Sequence, residues 1–300
     1  SMKIQPWIEA ARLRTLPLSM SGIVAGSFVA YKQDFWDWRI FALAMLTTLF
    51  LQVLSNYAND LGDSHKGADN EGRVGPMRTI QSGKVSQSQM KVAVGITAVL
   101  SLLTAIPLII IGTSEMPASV LWVYVILAIL AVVAAITYTV GKKAYGYNGM
   151  GDVMVFIFFG LVSTLGSYSL YAKQFDWDLI GFAVGIGLLS IAVLNLNNMR
   201  DHENDEKVGK RTLVVMMGFK NAKKYHIFLI VGALVGIVYF LAAEEWWLEM
   251  LCLLPFIVLF KHTAKVIKVK EAKELDSEMK KVALSTFAIT VLFMLISLLN

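Results

Sequence analysis

The chain has 300 residues and a net charge of +5; 56% of its residues are hydrophobic and only 16% are charged. Soluble domains carry about 25% charged residues, so this composition excludes an ordinary soluble domain and favours helices that span a membrane. The single cysteine, Cys252, excludes an internal disulfide and a cysteine metal site.

Apolar stretches of spanning length predict an all-α, polytopic fold of about nine transmembrane helices around a central cavity. The predicted spans are 15–31, 40–61, 91–112, 118–140, 150–171, 178–199, 226–243, 246–262 and 282–299. We interpret residues 1–300 as one integral-membrane domain, with Ser1 ahead of Met2 as a cloning remnant, and we expect no cleavable signal peptide.

The basic residues fall on one side of this predicted topology. Of the 27 Lys and Arg residues, all but Lys32, Arg39 and Lys173 lie in the N-terminal segment or in alternate loops. The positive-inside rule therefore predicts that the N-terminus and the basic loops are cytoplasmic. We expect the chain to be a multi-pass protein of the inner membrane. The positive charge follows from this topology and indicates no nucleic-acid partner.

Two acidic clusters stand where the second and sixth predicted spans end. They are Asn-Asp-Leu-Gly-Asp at 59–63 and Asp-His-Glu-Asn-Asp at 201–205. Carboxylates at that depth are costly and usually functional. Asn and Asp residues four apart share a helix face, as Asn56 and Asp60, Asn59 and Asp63, and Asn197 and Asp201 do.

The chemistry of these residues predicts a magnesium and diphosphate site. Mg²⁺ takes oxygen ligands and typically binds one or two carboxylates together with substrate phosphates. The predicted metal ligands, which are also the predicted catalytic acids, are Asp60, Asp63, Asp201 and Asp205. We call the two helix faces that carry these acids and amides the polar stripes, one at the end of the second span and one at the end of the sixth. Both stripes are expected to face one cavity.

Cations near the clusters are candidates for offsetting the charge of a diphosphate. Arg73 and Arg78 follow the first cluster, and Lys210 and Arg211 follow the second. Lys142 is a further catalytic candidate, because it comes one helical turn after Tyr138, itself a candidate for substrate contact.

Several segments in this order resemble the UbiA superfamily of intramembrane aromatic prenyltransferases, and most nearly its naphthoate branch. They are Ala-Arg-Leu-Arg-Thr-Leu-Pro-Leu-Ser at 11–19, the first cluster extended to 69, Arg-Val-Gly-Pro-Met-Arg at 73–78, Tyr-Gly-Tyr-Asn-Gly-Met-Gly-Asp at 145–152, Asn-Asn-Met-Arg-Asp-His-Glu-Asn-Asp at 197–205 and Gly-Lys-Arg-Thr-Leu at 209–213. Gly67 replaces the last acid of the family's first motif, and we expect Asp69 to take its place.

The resemblance implies Mg²⁺-dependent transfer of a polyprenyl group from its diphosphate to 1,4-dihydroxy-2-naphthoate, with loss of CO₂ to give demethylmenaquinol in menaquinone biosynthesis. It implies a lipid bilayer and an aromatic acid as partners, and no particular oligomeric state. The candidates for substrate contact are Arg14, Asn56, Asn59, Arg73, Arg78, Tyr138, Asp152, Asn197, Asn198, Lys210 and Arg211. Asp152 is a candidate for handling the aromatic acid or its phenolic proton.

Three alternatives compete with this interpretation. A different aromatic acceptor, such as 4-hydroxybenzoate, fits the same fold, although Gly67 and the segment 145–152 favour the naphthoate. A cation-coupled transporter predicts acids near the middle of a span, whereas these lie at span ends. CDP-alcohol phosphotransferases need a denser Asp-x-x-Asp-Gly block, which is absent from the chain.

Overall fold

The computed structural model describes residues 3–300, which form helices and loops without a β-strand. Within this range nine helices are long and apolar enough to cross a membrane. In chain order they are α1 Gln5–Lys32, α2 Trp38–His65, α3 Gln87–Thr113, α4 Ala118–Thr137, α5 Gly151–Ala172, α6 Trp177–Arg200, α7 Phe219–Ala243, α8 Leu248–Lys268 and α9 Ala272–Leu299. The prediction of an all-α protein with nine spanning helices is confirmed.

Loops 66–86, 138–150 and 201–218 lie at one end of the bundle, which we call the basic end. They contain a 3₁₀ turn at Tyr145–Tyr147 and short helices at His202–Lys207 and Leu213–Met217. The first loop ends in a capping box: Ser86 Oγ accepts from Gln89 N at 3.1 Å, and Gln89 Oε1 accepts from Ser86 N at 3.0 Å. Fixed helix ends of this kind hold the loops of the basic end in position.

Helices α1 and α6 form the inside of the bundle. About two thirds or more of their apolar stretches are buried, 67% in α1 and 72% in α6, against 11% in α4 at the rim. α1 packs against α2, α5 and α9, and α6 packs against α5, α7 and α9. The second acidic cluster therefore extends from the most enclosed helix.

Small residues allow α6 and α7 to pack closely. A Cβ atom at Gly181 would lie 2.4 Å from the carbonyl oxygen of Gly236, so a larger residue would force the two backbones apart. Such close packing through glycine is typical of helices in membranes, where burial from water cannot drive association.

A buried polar network joins the last four helices. Asn195 Nδ2 lies 3.2 Å from His226 Nδ1, His226 Nε2 lies 2.8 Å from His262 Nε2, and His262 Nδ1 lies 3.0 Å from Glu278 Oε2. If the Asn195 amide donates to His226 Nδ1, each following N–H donates to the next acceptor, ending at the carboxylate. Lys265 and Lys281 contact the other oxygen of Glu278 at 2.8 and 3.1 Å.

Two helix boundaries differ from the predicted ones. α7 begins at Phe219 rather than at 226, because a polar turn containing Lys220, Lys223 and Lys224 stays helical at the basic end. α4 ends at Thr137 rather than at 140, and Gly141 then takes a φ of 100° that favours glycine.

Candidate active site at the basic end

A small cavity lies where the ends of α2 and α6 meet loop 66–86. Its volume of about 20 Å³ leaves room for an ion or a water molecule. This charged cavity is lined by Asp63, Ala68, Asp69, Arg73, Arg78, Asn197, Asp201, Asn204, Asp205 and Lys210. The structure thus brings acids of both clusters and several of the candidate cations to one place.

The second cluster is built by a helix that pauses and continues. α6 ends just before Asp201, the helix His202–Lys207 follows, and Asp205 N donates to Asp201 O at 2.8 Å. Gly209 then takes a φ of 78°, and Lys210 N donates to Asp205 O at 2.8 Å. This glycine-dependent turn returns the Lys210 side chain to the charged cavity.

Asp63 receives donors from three separate segments. The Tyr147 hydroxyl donates to Asp63 Oδ1 at 2.5 Å, Lys210 Nζ lies 3.8 Å from the same oxygen, and Arg78 Nη1 lies 3.9 Å from Oδ2. Burial holds the pKa of the Tyr147 phenol well above its usual range, so this group remains a neutral donor.

Asp69 stands close to two arginines but is not satisfied. Arg73 Nε lies 3.3 Å and Arg78 Nε 4.0 Å from Asp69 Oδ1, yet within residues 3–300 neither carboxylate oxygen accepts a hydrogen bond. Both oxygens are buried, and burial is the main reason that the pKa of this carboxyl is raised. Buried oxygens without partners are costly and suit a bound ligand.

Asp205 is also destabilised as an anion. Burial, together with the negative charges of Asp201 and Asp63, raises the pKa of Asp205 to about 7, although Lys210 opposes the shift. A cation in the charged cavity would lower the free-energy cost of ionising Asp205.

Asp201 is held by its neighbour in the chain. Arg200 donates to Asp201 Oδ1 at 2.9 Å and to Oδ2 at 2.8 Å, a bidentate pair. The same guanidinium donates to Asn197 Oδ1 at 2.9 Å and to Asp276 Oδ1 at 2.7 Å. Arg200 therefore fixes both residues of the α6 stripe that face the cavity.

Asp60 lies next to the charged cavity but does not line it. Its Oδ1 accepts from Arg12 Nη2 and, at 2.7 Å, from Arg78 Nη1. Its Oδ2 lies 3.5 Å from the Thr79 hydroxyl. Of the four predicted metal ligands, Asp60 is the one that accepts hydrogen bonds from two guanidinium groups and does not line the charged cavity.

Three predicted cations do not reach the cavity: Arg14, Lys142 and Arg211 have exposed side chains. Tyr138 and Lys142 were expected to share a helix face, but α4 ends at Thr137, before both residues. Arg211 contacts the site region through its backbone, because its N–H donates to Tyr147 O at 3.0 Å.

The remaining amides have mixed positions. Asn56 Nδ2 donates to Ala11 O at 2.8 Å, so this amide holds the N-terminal segment. Asn59 Oδ1 accepts from the Thr139 hydroxyl at 3.3 Å. Asn198 is buried beside the stripe, and its Oδ1 has no hydrogen-bond partner within the described part of the chain.

Tyr138 and Asp152 form a second polar group near the start of α5. A Cβ atom at Gly151 would lie 3.0 Å from the Tyr138 ring, which shows how closely the ring packs there. Asp152 Oδ2 accepts from the Tyr225 hydroxyl at 2.9 Å. Neither residue lines the charged cavity.

Sequence reasoning missed several residues of the site. Tyr147 and Asn204 lie inside the segments that carry the family resemblance, which was the available signal, but their types gave no specific role. Asn204 Nδ2 donates to Ala68 O at 3.2 Å and so joins the second cluster to loop 66–86. Lys66 donates to the carbonyl oxygens of Thr139 and Gly141 at 2.7 and 2.8 Å, which closes the α4 end.

A larger cavity of about 690 Å³ adjoins the charged cavity. The two share Asp201 and Asn204 as lining residues, and the larger one extends past Arg200 and Lys207 to Lys270. The larger cavity therefore offers open space next to the acids and cations of the charged cavity.

The donor set of the charged cavity fits a hard divalent cation. Four carboxylates and two amides supply oxygens, and those of Asp69 are buried without hydrogen bonds. Within residues 3–300, however, the one group of acids whose ligand atoms all lie within 4.8 Å is Asp176, Asp178 and Glu244, at the opposite end of the bundle. Mg²⁺ usually binds only one or two carboxylates and completes its coordination with phosphate and water, so it does not need three acids this close together.

Comparisons of sequence point to one family. A model of the UbiA prenyltransferase family matches residues 19–296. The 1,4-dihydroxy-2-naphthoate octaprenyltransferase of Haemophilus influenzae is 41% identical over 98% of this chain and 96% of its own length. The enzyme of the same name from Escherichia coli is 40% identical over 94% of this chain and 88% of its own length.

Solved structures share the fold. A UbiA homolog from Archaeoglobus fulgidus bound to DMAPP and Mg²⁺ superimposes with a TM-score of 0.62, at 16% identity, over 94% of this chain and 98% of that one. A UbiA homolog from Aeropyrum pernix K1 gives a TM-score of 0.64, at 14% identity, over 92% and 97%.

Proposed function

The chain belongs to the UbiA prenyltransferase family, and from this we propose that it transfers a polyprenyl group from a polyprenyl diphosphate to 1,4-dihydroxy-2-naphthoate. Pyrophosphate and CO₂ leave, and the product is demethylmenaquinol, an intermediate of menaquinone biosynthesis. The observation that carries the proposal is the 41% identity to the Haemophilus influenzae enzyme over nearly the whole chain. The charged cavity supports it, because acids and cations of both clusters meet there.

We propose Mg²⁺ as the cofactor, with its carboxylate ligands drawn from Asp63, Asp69, Asp201 and Asp205, all of which line the charged cavity. Because these acids are widely spaced, one or two of them would bind an ion, with phosphate and water completing its coordination. When bound there, the ion supplies a Lewis acid that offsets the charge on diphosphate oxygens. Asp69 is added to the predicted ligands because its buried oxygens lack hydrogen bonds within residues 3–300. Its position in the charged cavity supports the expectation that Asp69 replaces the acid missing at Gly67.

The cations of the cavity stabilise the leaving group. Arg73, Arg78 and Lys210 line it and offer N–H donors to phosphate oxygens. When the allylic carbon–oxygen bond breaks, its electron pair stays on pyrophosphate and the prenyl group becomes a delocalised cation. This cation must be kept from water, and the buried apolar residues of the bundle offer such an environment.

The acceptor reacts at the ring carbon that bears the carboxylate. This carbon forms a bond to the prenyl cation, the bond to the carboxylate breaks, and its electron pair restores the aromatic ring as CO₂ leaves. Asp152, hydrogen-bonded to Tyr225, is our candidate for holding the phenolic proton of the acceptor.

A carboxyl-labelled acceptor tests the reaction. With purified protein, Mg²⁺ and a polyprenyl diphosphate, labelled CO₂ should appear in step with prenylated product and pyrophosphate. With 4-hydroxybenzoate, which is prenylated beside its hydroxyl, we expect little turnover and no CO₂. A prenylated product that keeps its carboxylate, or a preference for 4-hydroxybenzoate, would contradict the naphthoate assignment.

The protein is a multi-pass membrane protein, and we propose that it resides in the inner membrane with its basic end in the cytoplasm. The distribution of Lys and Arg supports this orientation. In a Cys252→Ala background, cysteines introduced at the exposed positions Glu71 and Lys207 should react only with a reagent supplied from the cytoplasm. A cysteine at exposed Glu115 should react from outside, and the reverse pattern would overturn the orientation.

A further inference from the structure

We propose that Asp60 is a positioning residue that holds the guanidinium groups of Arg12 and Arg78 for the diphosphate, and that it does not bind the metal. This inference rests on the proposed function, because it takes a diphosphate as the ligand. The inference gives Asp60 and Asp63 different roles, although they are only three residues apart on the same helix.

The contacts of Asp60 leave little place for a metal ion. Its side chain is 1% exposed, and Oδ1 accepts from both guanidinium groups. The charged cavity is lined by Asp63 and Asp69 but not by Asp60. A metal ion at Asp60 Oδ1 would have to displace two largely buried guanidinium groups, which is costly because it breaks buried charge pairs, and Oδ2 lies 3.5 Å from the Thr79 hydroxyl.

The N-terminal segment of α1 is built to deliver Arg12. Arg12 adopts φ 48° and ψ 60°, a left-handed conformation that breaks α1 and that residues other than glycine rarely adopt. Asn56 contacts both sides of the break, because its amide donates to Ala11 O at 2.8 Å and to the Thr15 hydroxyl at 3.1 Å. Such strain persists only where surrounding contacts fix it, and here α2 supplies them.

A second contact fixes the start of the same segment. Tyr57 follows Asn56 on α2, and its hydroxyl donates to Trp7 O at 3.0 Å. Asn56, Tyr57 and Asp60 therefore all bind the N-terminal segment, whereas Asp63 points to the charged cavity. α2 presents two adjacent faces, turned from each other by roughly 60° between Asp60 and Asp63.

The arrangement leaves donors for an anion. The side chains of Arg12 and Arg78 are only 12% and 13% exposed, and they share one carboxylate, so the trio carries a net positive charge. A guanidinium has five N–H donors, and within residues 3–300 Arg12 uses only an Nη2 donor, on Asp60. Arg78 lines the charged cavity, and Arg12 lies next to it through their shared partner Asp60. Their remaining donors match phosphate oxygens, which arginine binds through two parallel hydrogen bonds.

The test separates metal binding from anion binding. Mn²⁺ binding to the full-length protein in lipid nanodiscs is measured by electron paramagnetic resonance, and binding of inorganic pyrophosphate is measured at saturating Mn²⁺. Asp60→Asn should keep the Mn²⁺ affinity within about two-fold and weaken pyrophosphate binding about ten-fold or more, the size of a lost charged hydrogen bond. Asp63→Asn should instead weaken Mn²⁺ binding by at least about ten-fold.

Arg12 variants give a second route if Asp60→Asn does not fold. Arg12→Gln should weaken pyrophosphate binding with the Mn²⁺ affinity unchanged, and Arg12→Lys should restore only part of it because lysine lacks the planar fork. The matched control is Arg39→Gln, which breaks an exposed pair with Asp37 (2.8 Å) and should change neither affinity.

Equal loss of Mn²⁺ binding in Asp60→Asn and Asp63→Asn would overturn the proposal, as would unchanged pyrophosphate binding in Arg12→Gln. Neither measurement uses the aromatic acceptor. A failed naphthoate assay with these binding results intact would therefore count against the proposed acceptor and leave the role of Asp60 standing.

Discussion

Two groups of carboxylates lie at opposite ends of the bundle, and they differ in what surrounds them. Asp176, Asp178 and Glu244 offer ligand atoms within 4.8 Å of one another, but their side chains are partly or fully exposed. Asp176 Oδ1 accepts from Asp178 N at 3.0 Å and so caps a turn. Water screens such acids, so their approach costs little and needs no function to explain it.

The acids of the basic end are spaced more widely, yet they are buried among Arg12, Arg73, Arg78, Arg200 and Lys210. Burying ions of both signs is expensive even when they pair. Burial among cations therefore distinguishes the candidate site better than the closeness of its carboxylates does.

Removal of a cavity acid should have the largest effect. We expect Asp63→Asn and Asp201→Asn each to lower Mg²⁺-dependent turnover by about 10²–10³-fold or more, because each removes charge next to the reacting diphosphate. Folding is checked by thermal unfolding and turnover by prenylated product. Normal Mg²⁺-dependent turnover in both variants would remove the distinction between the two ends.

Lys210 tests whether the interleaved cations matter. Its Nζ lies 3.8 Å from Asp63 Oδ1 and 5.0 Å from the centre of the Tyr147 ring, which fixes its position. Lys210→Met should raise KM for the polyprenyl diphosphate about ten-fold through loss of a charged hydrogen bond. Lys261→Met, at an exposed position, is the control and should leave KM unchanged.

A smaller effect is expected from pH. Burial raises the pKa of Asp205 to about 7, and a carboxyl must lose its proton before it binds a metal ion. Mn²⁺ affinity should therefore fall by up to about ten-fold for each pH unit below 7 and level off above it. Asp205→Asn should bind more weakly and show a flatter profile; an equally steep profile would assign the proton to another group.

The smallest effect is expected at the opposite end. Asp178→Asn removes one member of the exposed group and should leave turnover and its Mg²⁺ dependence unchanged, since these acids are partly or fully exposed to water. A loss of turnover comparable to that of Asp63→Asn would show that the exposed group takes part in the reaction.

Hydropathy predicted all nine helices because a bilayer requires long apolar segments whatever else the sequence does. The helix ends were harder to predict. The polar first turn of α7 is helical although hydropathy begins only at 226. Lys142 was assigned to the site on the assumption that α4 continued past it, and the break after Thr137 removes the basis for that spacing.

Residue types and spacing indicated the location of the site, since both acidic clusters were expected to face one cavity. Residue types and spacing did not predict different roles for Asp60 and Asp63, because the difference depends on Arg12, which reaches Asp60 from another helix. Tyr147 and Asn204 act through contacts across the fold, at 2.5 Å to Asp63 and 3.2 Å to Ala68. The pairing of His226 with His262 likewise depends on how α7 and α8 pack.

Without a ligand, the carboxylates and the cations of the charged cavity serve as counter-ions to one another. Asp63 lies near Lys210 and Arg78, and Asp69 lies near Arg73. A metal ion alone would release these cations without giving them an anion, and a diphosphate alone would leave the acids without a cation. The two ligands should therefore bind with positive thermodynamic linkage. By reciprocity, the factor by which the metal tightens diphosphate binding must equal the factor by which diphosphate tightens binding of the metal.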